Sequence, residues 1–352
     1  MYPALAVVRA LGPRAEVLWI GGEGGMEAAL VQRAGIPFQA IPAAGVHGVG
    51  LHALPGNLAR LARGLKAARA VLRAFRPDVL FFTGGYVGVP VALAGGLTPR
   101  AVYVPDLEPG LALRLAARGA QLVAVTAEEA RAHHPRRRRL LVSGYPTRPE
   151  LHGLARAAAR RALGLDQAAP VLLVYGGSRG ARSINQALWA GLPALLEAAQ
   201  VLHIAGELDA PQAEARRAAL PELLAARYHV HAYLHEAMGQ ALAAADLAVA
   251  RAGAATLGEL PLFGLPAVLV PYPHAWRYQK QNADYLARRG AALRLDDHAL
   301  AARLVPTVLE LLHDPARRTA MAAAARALAR PGAAQAIAQA IERLAASRGG
   351  AA

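Results

Sequence analysis

Residues 172–182 read Leu-Leu-Val-Tyr-Gly-Gly-Ser-Arg-Gly-Ala-Arg, and this stretch decides the fold. Such an apolar run predicts a buried strand, and the glycines after it allow a sharp turn into a helix. Glycine backbone can approach a phosphate closely, and a helix N-terminus offers free amides and partial positive charge. Gly176, Gly177, Ser178 and Gly180 are therefore candidate phosphate-binding residues. A tight strand-to-helix turn without a ligand is the alternative.

Short apolar runs alternate with longer helical patterns along the whole chain, which is typical of parallel sheets covered on both faces. The strand candidates are Ala15–Ile20, Pro37–Ile41, Asp78–Phe82, Ala101–Val104, Gln121–Val125 and Arg139–Val142, then Pro170–Tyr175, Gln200–Ile204, Tyr228–Tyr233, Asp246–Ala250, Ala267–Val270 and Ala292–Leu295. A chain of 352 residues has about the length of two domains. We therefore expect an α/β protein of two Rossmann-like, doubly wound domains.

Turn residues at Ser143-Gly144-Tyr145-Pro146 predict the domain boundary, with one domain over residues 1–145 and another over residues 146–352. Residues 315–347 predict a C-terminal helix, which in this architecture can pack back on the first domain. At the other end, Pro3 suits the first turn of a helix. The sequence therefore opens on a helix, whereas a doubly wound domain normally begins with a central strand.

The composition excludes several kinds of site. Cysteine is absent, which removes disulfides, zinc–thiolate centres and thiol nucleophiles. No apolar run reaches the roughly 18 residues that span a bilayer, and the first residues do not resemble a cleavable signal. The net charge of +15 suggests anionic partners. Abundant arginine and alanine equally indicate a codon bias, however, and we expect no nucleic-acid partner, no metal and no cofactor.

Two further loops carry candidate ligand-binding residues. Gly84 and Gly85 follow the strand at residues 78–82, although glycine there could simply permit close packing. After the strand ending at Ala250, a helix that begins near Ala254 would present free amides, and Glu259 could accept hydrogen bonds from a ribose. Complementing the helix dipole is the alternative role for this carboxylate. The candidates in the second loop are Ala254, Ala255, Thr256, Leu257, Gly258 and Glu259.

The helix expected from residue 277 onward places Gln279 and Asn282 on one face, because they are three positions apart. Side-chain amides both donate and accept, which suits the hydroxyls of a sugar. A solvated helix start is the alternative.

The stretch Leu58–Phe75 predicts an amphipathic helix with one apolar and one basic face. Its basic residues are Arg60, Arg63, Lys66, Arg69 and Arg73. Such a helix can lie on an acidic membrane, or it can cover its own sheet with the basic face in solvent.

Taken together, these motifs resemble the MurG family of undecaprenyl-diphospho-muramoylpentapeptide N-acetylglucosaminyltransferases over almost the whole chain. The segments that carry the resemblance are Tyr2-Pro3-Ala4-Leu5-Ala6, Gly84-Gly85-Tyr86-Val87, Gly144-Tyr145-Pro146-Thr147-Arg148, Gly176–Arg182, Arg251–Glu259, and Gln279 with Asn282. The family implies the GT-B architecture, two Rossmann-like domains facing a cleft, with the donor UDP-N-acetylglucosamine held mostly by the second domain.

The resemblance also implies residue roles. Ser178 and the amides around Ala254–Thr256 match diphosphate-binding positions, and Glu259 matches the ribose-binding carboxylate. Arg148 matches a donor contact near the domain junction, and Gln279 matches a glutamine that reads the sugar hydroxyls. Two more positions are implied: Leu234, near the uracil, and Asp106, where the family commonly has an asparagine facing the sugar.

The implied reaction is inverting. The C4 hydroxyl of the muramoyl sugar on lipid I attacks the anomeric carbon of the donor, and UDP leaves, which yields lipid II for peptidoglycan synthesis. The implied location is the cytoplasmic face of the cell membrane, with peripheral attachment to acidic lipids. For that contact the candidates are Leu51, Leu54, Leu58, Arg60 and Arg63.

Three departures from the family pattern affect this expectation. The family opens with a strand and a glycine-rich loop that ends in a histidine, the usual candidate for the base, and this sequence contains no such element. Arg179 replaces a glutamine, and Asp106 replaces the asparagine. We expect a start site assigned too far downstream, and the catalytic residue stays unassigned. A UDP-N-acetylglucosamine 2-epimerase and a catalytically silent UDP-sugar-binding protein are the alternatives.

Overall fold

The computed structural model describes residues 1–25, 27–43, 54–134, 139–177, 180–275 and 277–349. The chain divides into two compact units, Met1–Arg148 together with Gly332–Ala352, and Pro149–Pro331. The sequence had placed the division after residue 145 and the last helix in the second domain. In the structure the division follows Arg148, residues 315–331 stay in the second unit, and residues 332–352 belong to the first.

The helices and strands of the first unit alternate along the chain. They are α1 (Tyr2–Leu11), β1 (Trp19–Gly22), α2 (Glu27–Arg33), β2 (Phe38–Ile41), α3 (Leu54–Phe75), β3 (Leu80–Phe82), α4 (Gly88–Ala94), β4 (Arg100–Val104), α5 (Leu111–Arg118), β5 (Leu122–Val125) and β6 (Arg139–Val142).

The second unit repeats the alternation. Its elements are α6 (Arg156–Ala162), β7 (Val171–Tyr175), α7 (Arg182–Ala190), α8 (Leu192–Ala198), β8 (Gln200–Ile204), α9 (Ala210–Ala218), α10 (Glu222–Ala225), β9 (Tyr228–His231), α11 (Met238–Ala244), β10 (Leu247–Arg251), α12 (Thr256–Phe263), β11 (Ala267–Val270), α13 (Tyr278–Arg288), β12 (Ala292–Arg294), α14 (Leu300–His313) and α15 (Pro315–Ala327). The final helix, α16 (Ala333–Gly349), returns to the first unit and packs against α1.

The first unit contains two parallel sheets. One pairs β1 with β2, and the other has the order β3-β4-β5-β6. Among the described residues, no strand pairs with the second edge of β1 or of β3. A cavity of about 600 Å³ lies between them, lined by both strands and by Val8 and Ile341. The sheet is interrupted where a doubly wound domain carries its first strand, which is the element that the sequence analysis did not find.

Helix α3 covers the sheet of the first unit as an amphipathic helix should. Ala68 is buried in the core cluster that also contains Val102 and Val123, and the basic side chains of the opposite face are exposed. Gly64 makes this packing possible. A β-carbon there would lie 2.1 Å from the carbonyl oxygen of Pro42, closer than any real contact.

The second unit has one six-stranded parallel sheet in the order β12-β11-β10-β7-β8-β9. Its strands are nearly continuous apolar runs because helices cover both faces. The strand order reverses between β7 and β10, and open α/β sheets bind ligands at such a switch point, outside the carboxyl ends of the strands. A ligand is therefore expected at the loops after β7 and β10.

One helix prediction was too long. The segment after the glycine turn forms two helices, α7 and α8, separated by Gly191, where a β-carbon would lie 2.6 Å from Val305. The C-terminal segment forms α15 and α16 with a break that contains Pro331 and Gly332, rather than one helix. Proline lacks an amide hydrogen and clashes with the preceding turn, so it ends a helix readily.

Candidate functional site

The glycine loop after β7 turns tightly at the switch point. A β-carbon on Gly176 would lie 2.4 Å from the carbonyl carbon of Gly180, and the Gly180 amide donates to the Gly177 carbonyl over 2.8 Å. Gly180 has a φ of 78°, in the left-handed region that favours glycine. The predicted glycine turn is therefore present. Ser178 and Arg179 lie outside the described residues.

A buried polar network lies behind this loop. Asn185 donates from Nδ2 to the Ala205 carbonyl and to Asp209, both over 2.8 Å. Its Oδ1 faces His203 Nε2 at 2.9 Å, and His203 Nδ1 lies 2.7 Å from the Tyr228 hydroxyl. Because Asn185 Oδ1 can only accept, Nε2 carries the imidazole proton and Tyr228 donates to Nδ1. The Tyr228 hydroxyl in turn accepts from Trp189 over 3.0 Å.

Sequence reasoning missed this network, because its members are far apart along the chain. His203 is completely buried, and burial lowers its pKa to about 3, so the ring stays neutral. A neutral ring with both nitrogens bonded acts as a fixed spacer between β8 and α7. The network therefore holds the Ala205 carbonyl, against which Gly180 packs.

The loop after β10 begins its helix more tightly than expected. The amides of Thr256 and Leu257 bond to carbonyls three residues back, those of Gly253 and Ala254, over 3.0 and 3.1 Å. The Thr256 hydroxyl also donates to Gly253, over 2.7 Å. Within the described residues, the amides of Ala254 and Ala255 make no backbone hydrogen bond. The sequence had also assigned the Thr256 amide to the ligand, and that amide is already bonded within the turn.

Glu259 lies in the first turn of α12 and is only 8% exposed. A carboxylate is rarely this buried without a function or a partner. Its charge acts on the hydroxyl of Tyr175, at the end of the neighbouring strand β7. Burial first, and then the Glu259 charge, raise the pKa of that tyrosine. The loops after β7 and β10 therefore place ionisable groups close together at the switch point.

Arg251 connects three elements around these loops. It lies 2.5 Å from Asp297 and donates to the Ser183 hydroxyl over 2.7 Å. Ser183 itself donates to Asp297 over 2.8 Å. The guanidinium also lies over the ring of Tyr272 at 5.3 Å. The sequence analysis included Arg251 in one of the segments that resemble the family but assigned no role to it. The structure makes it the centre of a polar cluster joining β10, the first turn of α7 and the segment before α14.

Gln279 and Asn282 were expected to face the ligand together, and the structure separates them. Gln279 accepts from the Tyr272 amide over 2.8 Å, so its side chain lies at the loop after β11. Asn282 is completely buried and donates to the Ala252 carbonyl over 3.1 Å. Asn282 therefore supports the loop before α12 from inside, and the prediction that it faces the sugar was wrong. Sequence spacing identifies a shared helix face without identifying its neighbours.

The loops that end β7, β9, β10 and β11 share one edge, since carboxyl ends of parallel strands lie on the same side of a sheet. Half-buried Leu234 follows β9 at this edge. The glycine loop, the amides of Ala254 and Ala255, Glu259 and Gln279 therefore all lie at the carboxyl edge of this sheet. Amides at a helix start favour an anion, and a carboxylate beside them can accept from hydroxyls.

The remaining candidates lie in the first unit. Gly84 and Gly85 follow β3 with φ of 127° and 88°, a conformation that favours glycine. Asp106 is half-buried in the loop after β4. Arg148, the last residue before the second unit, places its guanidinium over the ring of Tyr2 at 4.5 Å. These residues carry no shared ligand geometry of their own.

The candidates on α3 are described only in part. Arg60 and Arg63 are exposed, whereas Leu51 and the side chains of Leu54 and Leu58 lie outside the described residues. Among the helices of the described ranges, none is both long and apolar enough to cross a bilayer. In the same ranges, no three acidic or histidine side chains are grouped as metal ligands.

Comparison with known proteins places these features in a family. The Glycosyltransferase family 28 N-terminal domain matches residues 1–105, and the Glycosyltransferase family 28 C-terminal domain matches residues 171–344. A UDP-N-acetylglucosamine--N-acetylmuramyl-(pentapeptide) pyrophosphoryl-undecaprenol N-acetylglucosamine transferase of Roseiflexus sp. (strain RS-1) is 44% identical, covering 98% of this chain and 92% of that protein. The enzyme of the same name from Desulforudis audaxviator (strain MP104C) is 41% identical, covering 98% and 95%. The chain belongs to this transferase family.

A solved structure agrees with the family. The crystal structure of Acinetobacter baumannii MurG superposes with a TM-score of 0.75 at 27% identity, covering 97% of this chain and 95% of that one. The predicted α/β class of GT-B type, with two domains, is thereby confirmed, and so is the predicted resemblance to MurG.

Proposed function

We propose that this chain transfers N-acetylglucosamine from UDP-N-acetylglucosamine to lipid I and so forms lipid II. The observation that carries the proposal is the pairing at the switch point of the second unit, where the glycine loop after β7 lies beside the helix start that leads to Glu259. The 44% identity to a transferase of that name supports the same substrates.

The donor-binding roles follow from the chemistry of each group. The amides of Ala254 and Ala255 suit the diphosphate, because neither donates to a backbone carbonyl of the described residues. Glu259 accepts hydrogen bonds from the ribose, and Leu234 lies beside the base. Gln279 keeps its Nε2 for the sugar hydroxyls, since its Oε1 accepts from Tyr272.

The reaction is one displacement with inversion. The C4 hydroxyl oxygen of the acceptor forms a bond to the anomeric carbon, the bond from that carbon to the diphosphate oxygen breaks, and the acceptor proton passes to a base. Amides at the start of α12 stabilise the charge that develops on the leaving UDP.

The acceptor is lipid-linked, and we propose that the first unit rests on the acidic cytoplasmic face of the membrane. Leu93 on α4 and Leu97 after it are 61% and 98% exposed. Helix α4 packs on α3, whose Arg60 and Arg63 are also exposed. Exposed leucines and exposed arginines on one unit suit an acidic lipid surface.

The test is a transfer assay with UDP-N-acetylglucosamine and a soluble lipid I analogue. We expect release of UDP together with a product that carries one additional N-acetylglucosamine. Formation of N-acetylmannosamine without an acceptor would indicate a 2-epimerase instead. Donor binding by calorimetry without any turnover would indicate a silent binding protein, and either result would contradict the proposal.

A further inference from the structure

We propose that Tyr175 is a positioning residue that orients the Glu259 carboxylate for the ribose of the donor. The inference rests on the proposed function, because it concerns the same nucleotide site. Tyr175 is the last residue of β7, and it pairs with Ala250 of the neighbouring strand β10. Both strands end at the switch point.

Alternation along β7 directs the Tyr175 side chain. Leu172 and Val174 belong to the core cluster formed with α7, α8 and α14. Successive side chains of a strand point to opposite faces, so Tyr175 points to the other face. Helix α11 packs against β7 and against α12, and neither helix contributes to the first cluster. Tyr175 therefore points into the layer that contains α12 and Glu259.

The Tyr175 hydroxyl is a buried donor without a partner. Its oxygen is shielded from solvent, and no described residue forms a hydrogen bond with it. Native proteins rarely leave a buried polar atom unsatisfied, and such an atom calls for an explanation. Burial and the Glu259 charge raise the pKa of Tyr175, so the phenol keeps its proton and can donate. A carboxylate only accepts, which makes Glu259 its natural partner.

A hydrogen bond between the two groups that forms when the donor binds would orient the carboxylate for ribose. The Tyr175 hydroxyl would donate to one carboxylate oxygen of Glu259, and the ribose hydroxyls would donate to the same carboxylate. The benefit depends on the ribose hydroxyls, so the readout is the preference for UDP over 2′-deoxy-UDP.

The experiment compares Tyr175→Phe with wild type by calorimetric titration of UDP and 2′-deoxy-UDP. We expect UDP to bind roughly tenfold more weakly to the variant, the size expected for one hydrogen bond to a charged group. Affinity for 2′-deoxy-UDP should hardly change. The thermal midpoint should not fall, because the substitution removes an unpartnered hydroxyl.

Tyr228→Phe is the matched control, because its buried hydroxyl is bonded to Trp189 and His203. This variant should have a lower thermal midpoint and an unchanged preference for UDP. In a Glu259→Ala background, Tyr175→Phe should have no further effect on UDP affinity.

A preference for UDP in Tyr175→Phe equal to that of wild type would overturn the inference, as would a full additional loss in the Glu259→Ala background. If the wild-type protein binds UDP and either of these results is obtained, only the proposed role of Tyr175 is refuted. If wild type binds no UDP, the proposed function fails with it.

Discussion

Gly180 packs directly against the carbonyl oxygen of Ala205, so that a β-carbon on Gly180 would lie 2.5 Å from that oxygen. The same oxygen accepts a hydrogen bond from Asn185 over 2.8 Å. Neither Gly180 nor the Ala205 carbonyl can move away freely. Gly180 is held in a left-handed conformation, and the carbonyl is held by the hydrogen bond from Asn185. The shape of the candidate phosphate loop therefore depends on the absence of a side chain at residue 180.

Gly180→Ala should disrupt this loop. The new methyl group meets backbone atoms, and alanine disfavours a φ of 78°. We expect a loss of about 1 to 3 kcal/mol in the free energy of unfolding and weaker binding of UDP in calorimetry. Gly177→Ala is the control for the free energy of unfolding, because a β-carbon there would have open space and the φ of Gly177 is not positive. Equal effects of the two substitutions would argue against a constrained loop.

The His203 network should make stability depend on pH. The folded protein holds the pKa of His203 near 3, below its ordinary value of 6.5, so the unfolded chain binds more protons between these values. Stability from this group is present above about pH 6.5 and is lost as pH falls, by at most about 1.4 kcal/mol per pH unit.

Urea unfolding of wild type and His203→Gln at several pH values between 5 and 8 tests this dependence. Burial also lowers the pKa of His229 and His231, so the informative quantity is the difference between the two slopes. The variant should have the shallower pH dependence. Equal pH dependence of the free energy of unfolding in the two proteins would show that His203 does not contribute to it.

Glu259→Ala should weaken UDP binding. Loss of a hydrogen bond to a charged group costs about 1.5 to 3 kcal/mol, which corresponds to roughly a ten- to hundredfold increase in Kd. Calorimetric titration measures this change directly. Glu222→Ala on the short helix α10 provides a carboxylate control away from the carboxyl edge of the sheet. An unchanged Kd for Glu259→Ala would remove the carboxylate from the ribose site.

Arg251→Ala should destabilise the second unit and disturb its ligand loops. The substitution leaves the partly buried Asp297 and Ser183 without their guanidinium partner. We expect a loss of about 2 kcal/mol in the free energy of unfolding. Arg317→Ala breaks the more exposed pair with Glu310 and should cost less than about 1 kcal/mol. A similar small cost for both variants would contradict the structural role of Arg251.

Membrane binding by the first unit should depend on both charge and apolar contact. Replacing Arg60 and Arg63 with glutamate should reduce sedimentation with vesicles that contain acidic phospholipid, and Leu97→Ser should reduce it further. Replacing Arg216 and Arg217 of the second unit with glutamate is the charge-matched control. If the control loses binding equally, net charge rather than this surface governs attachment.

The sequence predicted the strands well because their signals are local. Buried parallel strands are continuous apolar runs, and β6, β8 and β11 have the bounds that those runs indicated. The glycine turn before α7 and the short spacing from β10 to Glu259 are equally local. Such patterns were sufficient for the fold class and for the main candidates of the nucleotide site.

Only the tertiary structure decided which side chains meet. Ser183 and Asp297 are 114 positions apart and share Arg251 because β10 lies beside β7 in the sheet. Asn282 is polar and lies at a helix start, yet it points inward because that face of α13 covers the loop before α12. Sequence periodicity determines which residues share a face. Strand order and packing determine what that face contacts, and through those contacts they determine the chemistry of the site.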